Sequence, residues 1–260
     1  VTILEPFPMG WVVMRFQHKV VIVSGGTSGI GLATGQRLSG EGARVYNLDI
    51  VDSEAVGSRF IHCDVSSFDQ VQNAVQSITA AEGKIDALFA NAGIHKVGTI
   101  EDTTVEEMQR VIGVNCFGIF YLLKTVLPVM RKQQCGSVLL MGSDQSFVGK
   151  GSSAVYGMSK GAVAQLAKST AIDYAPFNIR VNCICPGTCE TGILKNAVGE
   201  LNQLSGVSET ETLNRLKTAQ PMKRIAKPAE IASLACYLLS SENSFMTGAL
   251  VPVDGGYTCQ

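Results

Sequence analysis

The chain has 260 residues, 46% of them hydrophobic and 17% charged, with a net charge of −1. That composition excludes global disorder and supplies ample material for a large core. No block of like charge appears, which argues against a nucleic-acid-binding surface and leaves a small molecule as the expected partner.

The opening stretch VTILEPFPMGWVVMRF is apolar but holds Glu5 and two prolines and lacks a basic start. It falls short of the roughly 20 apolar residues of a membrane span and does not read as a signal peptide. Residues 1–15 are therefore expected to be an N-terminal extension, with Met9 or Met14 as a candidate natural start. Residues 16–260 are expected to form one domain.

VVIVSG (20–25) reads as a buried strand, Ile30 to Gly40 as a helix, and RVYNLDI (44–50) and RFIHCDV (59–65) as the next strands. A polar-faced helix follows from about Ser67 to Glu82, then a strand DALFANAG (86–93) and a long helical stretch from about Val105 to Lys132. GSVLLMGS (136–143) is the fifth strand, Ser153 to Tyr174 a helix, and RVNCICPG (180–187) the sixth strand. Ala229 to Ser240 is the last helix, before ALVPVDGG (249–256). Apolar strands alternating with helices predict an α/β fold, a doubly wound, Rossmann-type parallel sheet of about seven strands with helices on both faces. Ligands then bind at the carboxyl ends of the strands. Residues 190–225, polar and weakly helical, are expected to form a substrate-binding lid over those ends.

Eight cysteines, at 63, 116, 135, 183, 185, 189, 236 and 259, include no CxxC pair. Reduced thiols in a cytoplasmic setting fit better than a disulfide framework. Cys183 and Cys185 alternate in a strand and are expected to be small buried residues on one sheet face; no metal site is expected.

SGGTSGIG (24–31) closes the first strand and opens the first helix. Gly25, Gly29 and Gly31 allow a tight turn and a close approach to a pyrophosphate, and the helix N-terminus offers N–H groups. The GxxxGxG spacing matches the common dinucleotide fingerprint only loosely, and on the loop alone a plain Gly-rich turn remains an alternative. Asp49 ends the second strand eighteen residues beyond Gly31, where a carboxylate accepts hydrogen bonds from the adenosine ribose. A 2′-phosphate there meets a like charge, with no Arg or Lys among Gly26, Thr27, Ser28, Ile50 or Val51 to offset it, so NAD is favoured over NADP.

At this point the chain resembles the short-chain dehydrogenase/reductase family over essentially Phe16 to Tyr257. The resemblance rests on SGGTSGIG, with Ser24 where the family's TGxxxGIG has threonine, CDV (63–65), NAG (91–93), VNCFG (114–118), Ser143, YGMSK (156–160), RVNCICPG (180–187) and TGALVPVDGG (247–256). It implies that Gly25, Thr27, Ser28, Gly29, Ile30, Gly31 and Asp49 bind the dinucleotide and that Asp64 and Val65 border its adenine. It places Asn91, Ala92 and Gly93 on the ribose side and Pro186, Gly187, Cys189 and Thr191 at the nicotinamide. It makes Asn115, Ser143, Tyr156 and Lys160 the catalytic tetrad, and it implies a homotetramer.

An unperturbed phenol with a pKa near 10 is a poor base at neutral pH. Lys160, one turn from Tyr156 on the same helix, is expected to favour phenolate and to hydrogen-bond the nicotinamide ribose. Ser143 is expected to donate to the substrate oxygen, and Asn115 to position a water that relays the proton from Lys160, unless it is simply a satisfied polar residue in a helix. Asp64 has a strand-end cap as its alternative role. His95, Asp144, Gln145 and Phe147 are expected at the substrate pocket, Asp144 as a solvated or N–H-bonded carboxylate unless it recognises a hydroxyl or a cation. Polar groups there point to a hydroxylated or otherwise polar substrate. The expected function is hydride transfer between NAD(H) and a secondary alcohol or ketone. The competing readings are an NADPH-dependent 3-oxoacyl-carrier-protein reductase and a dinucleotide-binding sensor or scaffold without turnover.

Overall fold

The computed structural model describes residues 14–52 and 57–260. The expected extension 1–15 thus lies outside the described residues except for Met14 and Arg15. The Arg15 guanidinium is held by Glu41 at 2.6 Å and Glu242 at 3.2 Å.

In chain order the elements are β1 (Val20–Ser24), α1 (Gly29–Gly40), β2 (Arg44–Asp49), β3 (Ser58–His62), α2 (Phe68–Glu82), β4 (Ala87–Ala90) and α3 (Val105–Ile112). They continue with α4 (Gly118–Gln133), β5 (Gly136–Met141), α5 (Ala154–Tyr174) and β6 (Ile179–Pro186). The last four are α6 (Gly192–Ser205), α7 (Glu209–Ala219), α8 (Pro228–Leu239) and β7 (Leu250–Val253). The seven strands pair in parallel in the order β3-β2-β1-β4-β5-β6-β7.

β1 is apolar at consecutive positions because both sheet faces are covered. Its Val20 and Ile22 enter one core layer, with Val71 and Ile78 of α2, Leu122 and Val126 of α4, and Val163 and Ala167 of α5. Val21 and Val23 enter the other, with Leu38 of α1 and Ile231 and Ala235 of α8. The strand order reverses between β1 and β4, and the chain leaves their carboxyl ends in opposite directions to open a crevice.

Two expectations change in detail. The long helix is continuous from Val105 to Gln133, but residues 113–117 form a π-helical turn, a wider ring that re-aims the side chain inside it. The whole run is long and apolar enough to cross a membrane by length and composition alone, yet Ile119, Leu122, Val126 and Met130 are buried in the protein's own core. The 190–225 excursion is not weakly helical: it holds α6 and α7, capped by Thr191 and Ser208. Its ends are joined by a Cys189–Ala226 bridge, in which Glu190 N–H donates to the Ala226 carbonyl at 2.9 Å and Ala226 N–H to that of Thr188 at 3.0 Å.

Candidate active site

The crevice is a cleft of about 790 Å³ running from the β1–α1 loop to α6. Gly25 sits at φ +67° and Gly29 at +52°, left-handed values that favour glycine, and a Cβ on Gly25 would come within 2.8 Å of Ala92 Cα. Ser28 begins α1 without a side-chain cap, so the first-turn N–H groups face the cleft as an anion cradle. Ser24 Oγ accepts from Asn91 N–H at 3.0 Å and Ala92 N–H at 3.1 Å. Asn91 returns the tie, donating from Nδ2 to the carbonyls of Ser24 and Gly25. These four bonds fix the end of β4 to the glycine loop.

Asp49 lines the cleft at the end of β2, accepting at Oδ2 from the Thr27 hydroxyl at 2.6 Å and at Oδ1 from Ile50 N–H at 2.8 Å. Asp64 and Val65 line it beyond β3, with the Asp64 carboxylate bonded to Ser66 N–H and Oγ. Asp64 thus caps its own turn as well as facing the cleft. Ala92, Gly93, Pro186, Gly187, Cys189 and Thr191 complete the wall.

At the far end, α5 brings Tyr156 and Lys160 to the cleft beside Ser143, which follows β5. Lys160 is only 2% exposed; its Nζ donates to the Met141 carbonyl at 2.8 Å and lies 5.4 Å from the centre of the Tyr156 ring. Burial pulls the lysine down to about 8, opposed by the nearby thiols of Cys183, Cys116 and Cys185. Tyr156 is half-buried and lines the cleft. Burial raises its phenol above the ordinary value, the Ser143 hydroxyl draws it back, and the Asp144 carboxylate adds to the rise. The expected lowering by Lys160 is therefore not what dominates, because desolvation outweighs an ammonium already engaged by a backbone carbonyl.

Asn115 lies in the π turn, fully buried. Its Oδ1 accepts from Ile94 N–H, and its Nδ2 donates to the Ile94 carbonyl and to Ser159 Oγ, at 2.9 to 3.0 Å. The carboxamide braces the chain just after Gly93, as a satisfied polar residue within the helix would.

Residues 25–258 match the family model described as enoyl-(acyl carrier protein) reductase. The chain is 34% identical to cyclopentanol dehydrogenase of a Comamonas species over 255 residues, covering 94% of this chain and 98% of that protein. It is 32% identical to meso-2,3-butanediol dehydrogenase of Serratia marcescens, covering 94% and 96%. The solved structure of Thermoplasma acidophilum aldohexose dehydrogenase superposes with a TM-score of 0.88 at 36% identity, covering 96% of this chain and 97% of that one. The chain belongs to the short-chain dehydrogenase/reductase family. It is an oxidoreductase of CH–OH groups.

In this family member the substrate end of the cleft is polar. Asp144, 2% exposed, is neither solvated nor bonded only to N–H groups: Oδ1 accepts from Ser143 Oγ at 2.9 Å and Oδ2 from Lys150 Nζ at 2.6 Å. Lys150 also stands 4.4 Å from the centre of the Tyr257 ring. The signal for Lys150 in the sequence is its position between Ser143 and Tyr156. His95 and Gln145 line the cleft as expected.

Three expected residues do not line it: Asn115, Phe147 and Gly31. Phe147 ends a short 3-10 turn with its ring 44% exposed. Gly31 faces inward, where a Cβ would collide with the Gly25 carbonyl, and so lets α1 pack on the loop. On the opposite side, Glu200 of α6 accepts from Val97 N–H at 2.9 Å and ties the excursion to the chain after β4.

Proposed function

We propose that the protein transfers hydride between NAD(H) and a secondary alcohol or its ketone, with Tyr156 moving the hydroxyl proton. The observation that carries this reading is one continuous cleft joining the glycine loop, Asp49 and the Ser143–Tyr156–Lys160 group.

The loop from Gly25 to Ile30 and the N-terminus of α1 fit a pyrophosphate, and Asp49 fits a ribose with free hydroxyls. Asp64, Val65 and Asn91 to Gly93 would border the adenosine, and Pro186 to Thr191 the nicotinamide. The nicotinamide accepts or supplies the hydride when bound. The rest falls to this chain. Tyr156, largely protonated at neutral pH, gives its proton to a ketone oxygen in reduction; in oxidation it must first lose that proton, so the rate climbs with pH. Ser143 helps hold the reacting oxygen, and Lys160 orders the ribose side. Relatives named for cyclopentanol and butanediol support the alcohol class.

We also read residues 16–260 as one domain with 190–225 as its lid. Homotetramer formation is supported by the exposed Phe117 and Phe120 along the α4 run and Ile172 on α5. A cytoplasmic setting is supported by eight free cysteines.

The test is initial rates with NADH against NADPH, together with Tyr156→Phe. The expected result is NADH preference, and a loss of about 10²–10⁴ in turnover for the variant with NADH affinity nearly intact. A strong NADPH preference would favour a 3-oxoacyl-carrier-protein reductase instead, and unchanged turnover in the variant would remove Tyr156 from the mechanism.

A further inference from the structure

Buried polar atoms are almost always hydrogen-bonded, so each exception needs a reason. Two residues that line this cleft each carry a buried side-chain atom with no hydrogen-bond partner among the described residues: Nδ1 of His95 and Oε1 of Gln145. Both flank Tyr156. The His95 ring lies 4.4 Å from the tyrosine ring, centre to centre, and its Nε2 is 3.0 Å from Ser153 Oγ. Gln145, 9% exposed, places Oε1 within 3.2 Å of where a Cβ on Gly157 would stand, one residue beyond the tyrosine.

The chemistry of these atoms restricts what can meet them. An amide oxygen only accepts, so it requires a donor and disfavours a carboxylate. Of the cations lining the cleft, Lys150 is already paired with Asp144. His95 is neutral at physiological pH, burial pulling it down to about 4. When Ser153 donates to Nε2, Nδ1 carries the hydrogen; when Nε2 donates to Ser153, Nδ1 accepts. A hydroxyl is the small neutral group that gives its one hydrogen to Oε1 and accepts from Nδ1 in the form where Nδ1 carries the hydrogen.

We propose that the site selects secondary alcohols bearing a second hydroxyl close to the reacting carbon, as in a vicinal diol or its hydroxyketone, with Gln145 and His95 holding that second hydroxyl. This rests on the hydride-transfer reading above and adds the substrate class. In the oxidation, the diol loses its carbinol hydrogen with the bonding electron pair to the oxidised nicotinamide dinucleotide. The hydroxyl proton of the same carbon goes to Tyr156 and on to solvent, a C=O bond forms, and the second hydroxyl is unchanged. Reduction of the hydroxyketone is the reverse.

The experiment compares kcat/KM for cis-cyclohexane-1,2-diol, cyclohexanol and cis-2-hydroxycyclohexanecarboxylate with NAD in the full chain, then in Gln145→Met and His95→Phe. Methionine keeps the length of Gln145, and phenylalanine keeps the ring on Tyr156. The diol is expected to be preferred over cyclohexanol by roughly tenfold or more, because a site built to bond a hydroxyl rejects the analogue lacking it. Each variant is expected to reduce that ratio by about fivefold or more, while NADH affinity and thermal midpoint report an intact fold. A wild-type ratio near one, a preference for the hydroxy acid, or an unchanged ratio in both variants would overturn the proposal. Turnover of cyclohexanol without diol preference leaves hydride transfer standing and removes only the substrate class. Wild-type failure on all three, with either dinucleotide, counts against both.

Discussion

Ser143 Oγ stands 2.9 Å from Asp144 Oδ1, so the carboxylate competes with the Tyr156 phenol and the substrate oxygen for the serine's one hydrogen.

Asp144 also contributes to keeping Tyr156 protonated, since its charge raises the phenol's pKa. Asp144→Asn removes that charge and keeps the shape. The pH at which alcohol oxidation reaches its plateau is expected to move down, with kcat/KM at neutral pH changing by about tenfold or less. A pH–rate profile of kcat/KM reads this directly; a midpoint that stays or rises would show that Asp144 is not felt at the phenol.

Gly93 occupies the narrow space between Asn115 and Lys160. A Cβ there would lie 3.3 Å from Asn115 Oδ1 and 3.7 Å from Lys160 Nζ. Gly93→Ala is expected to lower kcat by several-fold, and Gly93→Val by about 10² as the branched side chain displaces Lys160 or Ile94. The valine variant should also lose about 1–3 kcal/mol of stability in urea denaturation, the usual scale for overpacking. Full activity in Gly93→Val would mean the lysine and asparagine need not hold their present separation.

His95 carries a stability effect with a definite sign. Its pKa falls from an ordinary 6.5 to about 4, mainly through burial; Lys150 and Lys160 add to the fall, and Glu200 opposes it. Between those values the unfolded chain binds a proton that the folded chain does not. The stabilisation is complete above pH 6.5 and is lost as pH drops toward 4, by about 1.4 kcal/mol per unit at most. Thermal midpoints from pH 7 to 4 should fall less steeply in His95→Phe than in the wild type. Parallel curves would contradict the buried, neutral imidazole.

The order of strands and helices was legible because each strand is apolar on both faces and each helix carries an apolar stripe, patterns written over short stretches of chain. The gathering of Gly25, Asp49, Ser143, Tyr156 and Lys160 followed from motif residues standing at strand ends and helix starts. What local pattern could not carry was the competition between environments. Tyr156 and Lys160 sit four apart whether exposed or buried, and only the folded cleft shows desolvation outweighing their attraction. Asn115 reads as an ordinary helical residue because a π turn leaves no mark in the periodicity. Asp144 gains meaning only when Lys150, six residues on, folds back onto it. Phe147 has the right neighbours in sequence and the wrong side of a 3-10 turn in space.

The bridge between Cys189 and Ala226 makes everything between them a cassette. Both ends of the excursion are anchored to each other before α6 begins and after α7 ends, so changes in its length alter little besides a slowly growing loop entropy. On the proposed reading of this segment as a lid, a helical pair of another shape would change what covers the substrate while Ser143, Tyr156 and Lys160, which lie outside the bridge, keep their places.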